Sequence, residues 1–395
     1  MKALLSRVPG GRRRRWLTLA VLGAAAVAVM SSLFVGGGTA ANRVGQAKAV
    51  ALPPAARASV QTAAAVRSYW TASRMASARP LRPVARGNGA AAQAASSATG
   101  IPGVAGGFDP ATGALESATP NLAGVGGDIS PADGGYPGPN QTYNYPGAIG
   151  KYPVSAIGKL FFSEPSGNFV CSAAATYGGG NKDTVWTAGH CVGAQGGRAY
   201  YSNFLFCPGY KNGEGPKGCW PWSLAQQTSG WYYNGYWSAD YAYLYMGAHS
   251  DKGKGHVVAA VGGLGFAWNW GRDQAWADFG YPSGSPYSGG LLVVTQAEHR
   301  YDVSNPGGDP GPQDNSIGSS QTPGFSGGPW ILSFGPGNAS DPIGHNDWIN
   351  SVNSYYFTSG GPGGGNEYGV EIQGPYFDTN ACNFWKGGTG WTGTC

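Results

Sequence analysis

The residue best suited to chemistry is Ser326, which lies in the glycine-rich stretch 323–329, PGFSGGP. A serine hydroxyl is a poor nucleophile at neutral pH, so it needs a base, a group that orients this base, and donors for the developing oxyanion. Glycines on both sides let the backbone turn tightly and approach a substrate, which makes the amides of Gly324 and Ser326 the candidate oxyanion donors. Because the chain holds 69 glycines, this stretch alone would also fit an ordinary turn.

His190 is the candidate base. It follows the apolar stretch 184–188, TVWTA, and a glycine, and Cys191 comes directly after it. A disulfide from Cys191 to Cys171 on a preceding strand would hold the imidazole in place, and a base must above all be within reach of the proton that it removes. The alternative is a structural or surface histidine, but the strand, the turn and the cysteine together favour the base.

Asp240 is the candidate group that orients His190. It opens the apolar run 240–246, DYAYLYM, and a carboxylate at the mouth of such a strand needs a partner when it is buried. A plain turn aspartate is the structural alternative, and Asp251 in a loop rich in lysine and glycine is a weaker competitor. The order histidine, aspartate, serine is that of chymotrypsin rather than of subtilisin or the α/β-hydrolases, so we predict a catalytic triad.

Short strands must position these residues. Apolar runs separated by Gly, Pro and Asn predict an all-β sandwich or barrel. The predicted strands include 157–162, 169–172, 184–188, 240–246, 257–261, 291–295 and 330–334.

Two of the motifs resemble the signatures of the trypsin-like serine peptidases, namely 187–191, TAGHC, and 324–329, GFSGGP. More narrowly, the chain is similar to secreted bacterial peptidases related to glutamyl endopeptidases, over residues 148–380 in fold terms. The narrower resemblance rests on 158–162 (GKLFF), 171–172 (CS), 327–330 (GGPW), 352–354 (VNS) and 68–75 (SYWTASRM), the last being a pattern of their pro-regions. The resemblance implies two antiparallel six-stranded β-barrels, with His190 and Asp240 on the first and Ser326 on the second. It also implies that the peptide bond is cleaved through an acyl-enzyme.

The resemblance also bears on specificity and activation. It implies that Ser320 and Gln321 lie near the base of the substrate pocket, where the absence of a carboxylate does not support selection for Lys or Arg. Glutamyl endopeptidases use a histidine on a strand after the serine; His345 is the candidate, although the stretch 352–354 competes for that strand. Phe325 stands where many animal members carry the aspartate that receives a new N-terminal amine, so activation must work otherwise.

Six cysteines lie between Cys171 and Cys395. An even number in an exported chain predicts disulfides, although several connectivities remain open. The plausible local pairs are Cys171–Cys191, Cys207–Cys219 and Cys382–Cys395, the last as a terminal staple. A zinc site is the alternative, but no C-x-x-C or H-x-x-x-H spacing is present, so we predict neither a metal nor a cofactor.

Charge and composition differ between the two ends of the chain. Residues 1–108 contain no acidic residue and 14 of the 25 Lys and Arg, whereas residues 109–395 hold 11 basic against 20 acidic residues, a formal net charge of −9. The overall charge of +5 therefore describes no folded unit, and we predict no nucleic-acid partner; DNA binding by residues 148–395 alone would revive that hypothesis.

The N-terminus has the pattern of a signal peptide. Lys2, Arg7 and the arginines 12–15 precede an apolar run, 16–35, and Thr39-x-Ala41 is an acceptable cleavage site. We therefore predict a signal peptide over 1–41, with an uncleaved membrane anchor as the alternative and twin-arginine export left open.

The remaining chain divides by composition. Residues 42–147, first rich in Ala and then in Gly, Pro and Asn, are predicted to be a pro-segment and linker of low order, with a possible helix near 55–66. Residues 148–395 are the predicted peptidase domain.

These observations together predict a secreted, monomeric serine endopeptidase that acts on proteins or peptides and has no stable membrane association after signal cleavage. The alternative is a catalytically silent exported binding or adhesive module on the same fold, motivated by the Tyr and Trp residues between Trp220 and Tyr245.

Overall fold

The computed structural model describes most of the chain after residue 50. The described residues are 51–57, 62–85, 100–113, 141–145, 149–332, 334, 347–359 and 368–395. The signal peptide predicted for 1–41 and the candidate pocket residue His345 lie outside them. Among the described residues, no helix has the length and apolar character needed to cross a membrane.

Strands dominate the described part of the chain, and six of the seven apolar runs that were predicted as strands overlap them. The strands are β1 Ala56–Arg57, β2 Arg79–Pro80, β3 Val84–Ala85, β4 Gly103–Ala105, β5 Gln141–Asn144, β6 Ile157–Glu164, β7 Gly167–Ala175, β8 Thr184–Thr187, β9 Ser202–Pro208, β10 Trp220–Gln227, β11 Ala242–Met246, β12 Gly265–Trp268, β13 Ala275–Gly280, β14 Val293–Val303, β15 Asp314–Gly318, β16 Pro329–Leu332, β17 Trp348–Val352, β18 Tyr356–Phe357 and β19 Glu371–Gly374. The α-helices are α1 Ala63–Tyr69, α2 Ala72–Ser77, α3 Val257–Val261 and α4 Thr379–Thr389.

Six strands close the first barrel. Strands β10, β11, β8, β7, β6 and β9 are hydrogen-bonded in this order, and β9 pairs back with β10, each time antiparallel. Their apolar side chains share one buried cluster, in which Leu160, Val185, Phe206 and Leu244 are fully buried. The prediction of a six-stranded barrel is confirmed for this half of the fold.

The second half is a nine-stranded sheet. Its order is β19, β15, β14, β13, β16, β17, β12, β4, with β5 also paired to β14. In the described pairings the end strands β19 and β4 do not meet, and β12 runs parallel to β17. The prediction of a second barrel of six strands is not confirmed, because β12 and the linker strands β4 and β5 bring this sheet to nine strands. The segment after β17 nevertheless returns to β19, where Tyr355 and Gln373 exchange backbone hydrogen bonds.

Parts of the segment 42–147 are also built into the fold. Strand β1 pairs with β10, β2 pairs with β7, and β4 pairs with β12. The prediction of low order is wrong for these residues, since pairing with existing strands satisfies their backbone although they have few apolar side chains of their own. The predicted helix near 55–66 begins only at Ala63. The described residues from 51 onward belong to one compact unit, and the predicted boundary at 147–148 stays a prediction.

Two helices depart from the all-β prediction. The run VVAAV, predicted as a strand, is helix α3, because a short apolar run is compatible with either structure and tertiary packing decides. Helix α4 occupies the start of the Cys382–Cys395 loop. The Asp378 carboxylate accepts hydrogen bonds from the amides of its first turn, Gly390 ends it at φ 71°, and its Trp385 stacks on Phe266.

The cysteines are joined as the local pairing predicted. The disulfides are Cys171–Cys191, Cys207–Cys219 and Cys382–Cys395. The first links β7 to the turn after β8, and the last ties the C-terminus to helix α4.

Candidate active site

His190 and Asp240 meet because they lie at matching ends of two neighbouring strands. His190 follows β8, Asp240 precedes β11, and these strands are antiparallel with Thr187 opposite Ala242. The His190 ring Nδ1 lies 2.7 Å from Asp240 Oδ2, and the backbone amide of His190 donates to Asp240 Oδ1, also at 2.7 Å. The carboxylate therefore fixes both the backbone and the ring of the histidine.

A third group holds the Asp240 carboxylate. The Ser354 hydroxyl donates to Asp240 Oδ2 at 2.5 Å. Asp240 is completely buried, and its hydrogen bonds compensate for the loss of water around the carboxylate. Gly189 leaves room for this arrangement, since a Cβ there would lie 3.0 Å from Asp240 Oδ1 and 2.8 Å from the Trp231 ring.

The loop that carries Ser326 is held from both halves of the fold. From the first barrel, the Ser172 amide donates to the Ser326 carbonyl at 2.7 Å and the Ser172 hydroxyl donates to the Gly324 carbonyl at 2.9 Å. From the second sheet, the Gly327 amide donates to the Asn353 carbonyl at 2.7 Å. Two segments, one from each half of the fold, thus hold this loop.

The same loop lies against the strand end that leads into His190. Gly327 has φ +76°, and a Cβ there would lie 2.0 Å from Thr187 Oγ1 and 2.8 Å from the Ala188 amide nitrogen. Only glycine fits this close approach. The structure therefore places Gly327, the residue after Ser326, against the residues that lead into His190.

Two side-chain atoms of the candidate triad are buried and have no hydrogen-bond partner among the described residues. These atoms are His190 Nε2 and Ser326 Oγ. Within the described part of the chain, the amides of Gly324 and Ser326 also donate to no backbone acceptor. Buried polar groups are normally paired, so such unpaired groups call for an explanation, and catalysis is one.

A second buried carboxyl, that of Asp278, is linked by hydrogen bonds to the loop that carries Ser326. Asp278 on β13 is fully buried and accepts hydrogen bonds from Asn353 Nδ2 at 2.6 Å, Gln321 Nε2 at 2.8 Å and Ser319 Oγ at 3.2 Å. Burial raises the pKa of Asp278 to about 7, although the three donors act to lower it. Since Asn353 also binds Gly327, Asp278 is connected to the Ser326 loop through one residue.

Sequence reasoning missed the roles of Asp278, Asn353 and Ser354. Asp278 carried a usable signal, because it is a lone acidic residue in the apolar run 275–281, as Asp240 is in its own run. Asn353 and Ser354 belong to the family pattern 352–354, which by itself gives no sign of their contacts with Asp278 and Asp240.

The other predicted residues lie as follows. The Ser320 hydroxyl is hydrogen-bonded to the Tyr287 hydroxyl at 2.9 Å, and the side-chain amide of Gln321 donates a hydrogen bond to Asp278. Their place in a substrate pocket stays a prediction. Asp251, the competitor of Asp240, accepts from the Cys219 amide instead. Phe325 is fully buried.

One group of side chains has the proximity of a metal site. The ligand atoms of Cys171, His190 and Cys191 lie within 4.8 Å of one another. Both sulfur atoms belong to one disulfide, so neither is a free thiolate of the kind that zinc requires.

The buried Asp278 leads to a prediction about pH. Between pH 4 and 7 its carboxyl stays protonated in the folded chain but ionises in the unfolded chain, so its contribution to stability falls as the pH rises, by at most about 1.4 kcal/mol per unit. Urea unfolding of the wild type and of Asp278→Asn from pH 4 to 8 checks this. We expect the free energy of unfolding of the wild type, relative to the variant, to decrease over pH 4–7; an increase would contradict the prediction.

Comparison with known proteins adds to the geometry. No protein-family model and no curated protein matches the chain. The solved structure of the thermostable serine protease AL20 from an extremophilic microorganism is 30% identical, with 60% of this chain and 99% of that chain covered and a TM-score of 0.49. Protease Anisep from Arthrobacter nicotinovorans is 31% identical, with 64% and 100% covered and a TM-score of 0.49. A Glu endopeptidase is 15% identical, with 65% and 98% covered and a TM-score of 0.45.

Two features therefore agree. The chain matches two proteases at 30% identity or more over almost their whole lengths, and it forms a closed six-stranded β-barrel of its own. This chain belongs to the serine peptidases of the chymotrypsin fold.

Proposed function

We propose that the protein is a secreted serine endopeptidase that hydrolyses peptide bonds with His190, Asp240 and Ser326 as its catalytic residues. The observation that carries the proposal is the state of His190. Asp240 holds its ring and its backbone, each at 2.7 Å, while its Nε2 is buried without a partner among the described residues, as is Ser326 Oγ. A base that is oriented on one side and unpaired on the other is suited to take a proton.

Each of the three residues has its own role in the proposed reaction. His190 Nε2 removes the proton from Ser326 Oγ as this oxygen attacks the carbonyl carbon of the scissile bond. The same nitrogen then protonates the leaving amine, which leaves an acyl-enzyme that water hydrolyses by the reverse roles. Asp240 accepts the Nδ1–H hydrogen bond, which keeps the ring in the required tautomer and stabilises the imidazolium that forms.

The developing negative charge is assigned to the amides of Gly324 and Ser326. Gly324 has φ +107°, and a Cβ there would lie 2.6 Å from the Tyr281 carbonyl oxygen, so the loop needs glycine at this position. Preorganised amide donors of this type are among the largest contributions to acyl transfer. Asp278 acts on them as a positioning residue, through Asn353.

Secretion is supported by the three disulfides, which form and persist in oxidising compartments. We assign residues 1–41 to a signal peptide, 42–147 to a pro-segment with linker, and 148–395 to the peptidase domain. Proteins or peptides are the substrates.

The observation that motivated the hypothesis of an adhesive module does not hold for the described residues. It depended on exposed aromatic residues between Trp220 and Tyr245, but most of these side chains are buried. The buried ones are Trp220, Trp222, Trp231, Trp237, Tyr241 and Tyr243.

Labelling with a fluorophosphonate probe tests the proposal, because the probe reacts with an activated serine. We expect stoichiometric labelling of the folded wild type after prolonged incubation, none of Ser326→Ala, and wild-type labelling of Ser223→Ala, whose serine is exposed on β10. A folded wild type, checked by circular dichroism, that stays unlabelled would overturn the proposal.

A further inference from the structure

The turn that leads into Asp240 contacts the second half of the fold. This turn is the 3₁₀-helix Trp237–Ala239, which lies between strands β10 and β11 of the first barrel. Its Trp237 ring centroid lies 4.5 Å from that of Tyr355, a residue that follows β17 of the second sheet. Asp240 itself accepts the hydroxyl of Ser354, the neighbour of Tyr355. The turn is therefore a junction between the two halves.

Asp309 binds this junction from the loop 304–313, which connects β14 to β15. Asp309 Oδ2 accepts the backbone amide of Ser238, and Oδ1 accepts the Ser238 hydroxyl, each at 2.8 Å. Oδ1 also accepts the amide of Gly311 at 2.8 Å. Ser238 is only 7% exposed, and hydrogen bonds to a carboxylate are about twice as strong as those between neutral groups. One side chain thus holds the turn by both its backbone and its hydroxyl.

The loop itself is held in the shape that this contact needs. Asn305 Nδ2 donates to the Pro312 carbonyl at 2.7 Å, and Asn305 Oδ1 accepts the Asp314 amide at 3.0 Å. A Cβ on Gly311 would lie 1.9 Å from Ser238 Oγ and 2.5 Å from Ser238 Cβ. A larger residue at this position would therefore displace the serine. The carboxylate is preorganised, so binding the turn costs little conformational entropy.

The candidate catalytic groups are divided between the two halves. His190 and Asp240 flank strands of the first barrel, whereas Ser326 lies on the loop between β15 and β16. The position of His190 Nε2 relative to Ser326 Oγ therefore depends on the contacts that join the halves. A displacement of about 1 Å, even one that arises far from the chemistry, can lower a rate by about 10²-fold. Any contact that fixes the turn before Asp240 to the second half can therefore affect catalysis.

From these contacts we propose that Asp309 is a positioning residue for catalysis, which fixes the turn before Asp240 to the half of the fold that carries Ser326. The inference rests on the proposed function. Asp309 acts through Ser238, because none of its described hydrogen bonds goes to a residue of the candidate triad. Its loss should therefore lower kcat far less than the loss of the Asp240 carboxylate.

A double-mutant cycle in the full chain tests the inference. Its variants are Asp309→Ala, Ser238→Ala and the combination of both. We expect Asp309→Ala to lower kcat for fluorescently labelled casein by about 10-fold and Ser238→Ala by about threefold, since the latter keeps its backbone hydrogen bond to Asp309. In the Asp309→Ala background, Ser238→Ala should cost no more than about 1.5-fold, because its partner is already gone. KM should stay within about threefold throughout, since the contact acts on the catalytic groups rather than on substrate binding.

Asp378→Ala is the matched control. Asp378 also accepts two backbone amides, those of Asn380 and Ala381, at 2.8 and 3.0 Å, but at the start of α4. We expect a lower melting temperature in both Asp378→Ala and Asp309→Ala, and a loss of kcat only in the latter. Should Asp309→Ala fail to fold, Asp309→Asn replaces it. Its amide side chain keeps one acceptor oxygen, so we expect kcat to fall by about threefold, and an unchanged kcat in this folded variant would overturn the inference.

Active sites are counted by end-point fluorophosphonate labelling, so that each kcat refers to reactive Ser326. If the wild type is not labelled, the proposed function fails and the inference fails with it. If the wild type is labelled but folded Asp309→Ala keeps kcat within about twofold, Asp309 has no positioning role while the peptidase stands. An equal loss of kcat in Asp378→Ala would show general destabilisation, and multiplicative losses in the cycle would show that Asp309 does not act through Ser238. Either result overturns the inference.

Discussion

Replacing Ser326 with alanine is expected to lower the rate of peptide hydrolysis by about 10⁶-fold, to the level that binding and the oxyanion donors alone provide. The substitution removes the attacking oxygen and nothing else in the proposed mechanism. The loop itself is held through the backbone of Gly324, Ser326 and Gly327, so it should keep its shape.

The stability of this variant gives an independent check. Ser326 Oγ is buried without a partner among the described residues, so its removal breaks no described hydrogen bond. We therefore expect an unchanged or slightly higher melting temperature together with the loss of activity. Hydrolysis of labelled casein by purified Ser326→Ala, with Ser223→Ala as the control, measures the loss of activity. A loss of less than about 10-fold in a folded variant would remove Ser326 from the mechanism.

Replacing Asp240 with asparagine is expected to lower kcat by about 10⁴-fold. Asparagine has nearly the same shape, but its amide group can donate to His190 Nδ1 where the carboxylate accepted. The ring then carries its proton on Nε2, the nitrogen that must act as the base. The measurement is steady-state hydrolysis near neutral pH, accompanied by fluorophosphonate labelling, which should slow by a comparable factor.

Asp251→Asn is the matched control for this prediction. Asp251 also accepts a hydrogen bond from a backbone amide, that of Cys219, but lies next to the second disulfide rather than at His190. Its kcat should stay within about twofold of the wild type. Should Asp251→Asn lose more activity than Asp240→Asn, the assignment of the orienting carboxylate would have to be reversed.

Local patterns in the sequence were sufficient to predict the features that depend on residues close together along the chain. Each candidate catalytic residue stands in a short motif that contains its own turn or strand, which is why His190, Asp240 and Ser326 could be selected without a structure. The disulfides join cysteines only 20, 12 and 13 positions apart, so pairing neighbours along the chain predicted them. The first barrel was implied by the family resemblance, whereas the predicted runs do not include its strands β9 and β10.

Only the tertiary structure decided the contacts between distant residues. Asp240 meets Ser354 across 114 positions and Asp278 meets Asn353 across 75, and no local pattern encodes such distances. The packing of β3 against β18 depends in the same way on an edge that exists only after the chain has folded. A short apolar run such as 257–261 also has no structure of its own, because burial against the rest of the protein selects helix or strand. The sequence alone therefore determined which groups could carry the chemistry, whereas the tertiary structure decided what orients them, since that depends on long-range packing.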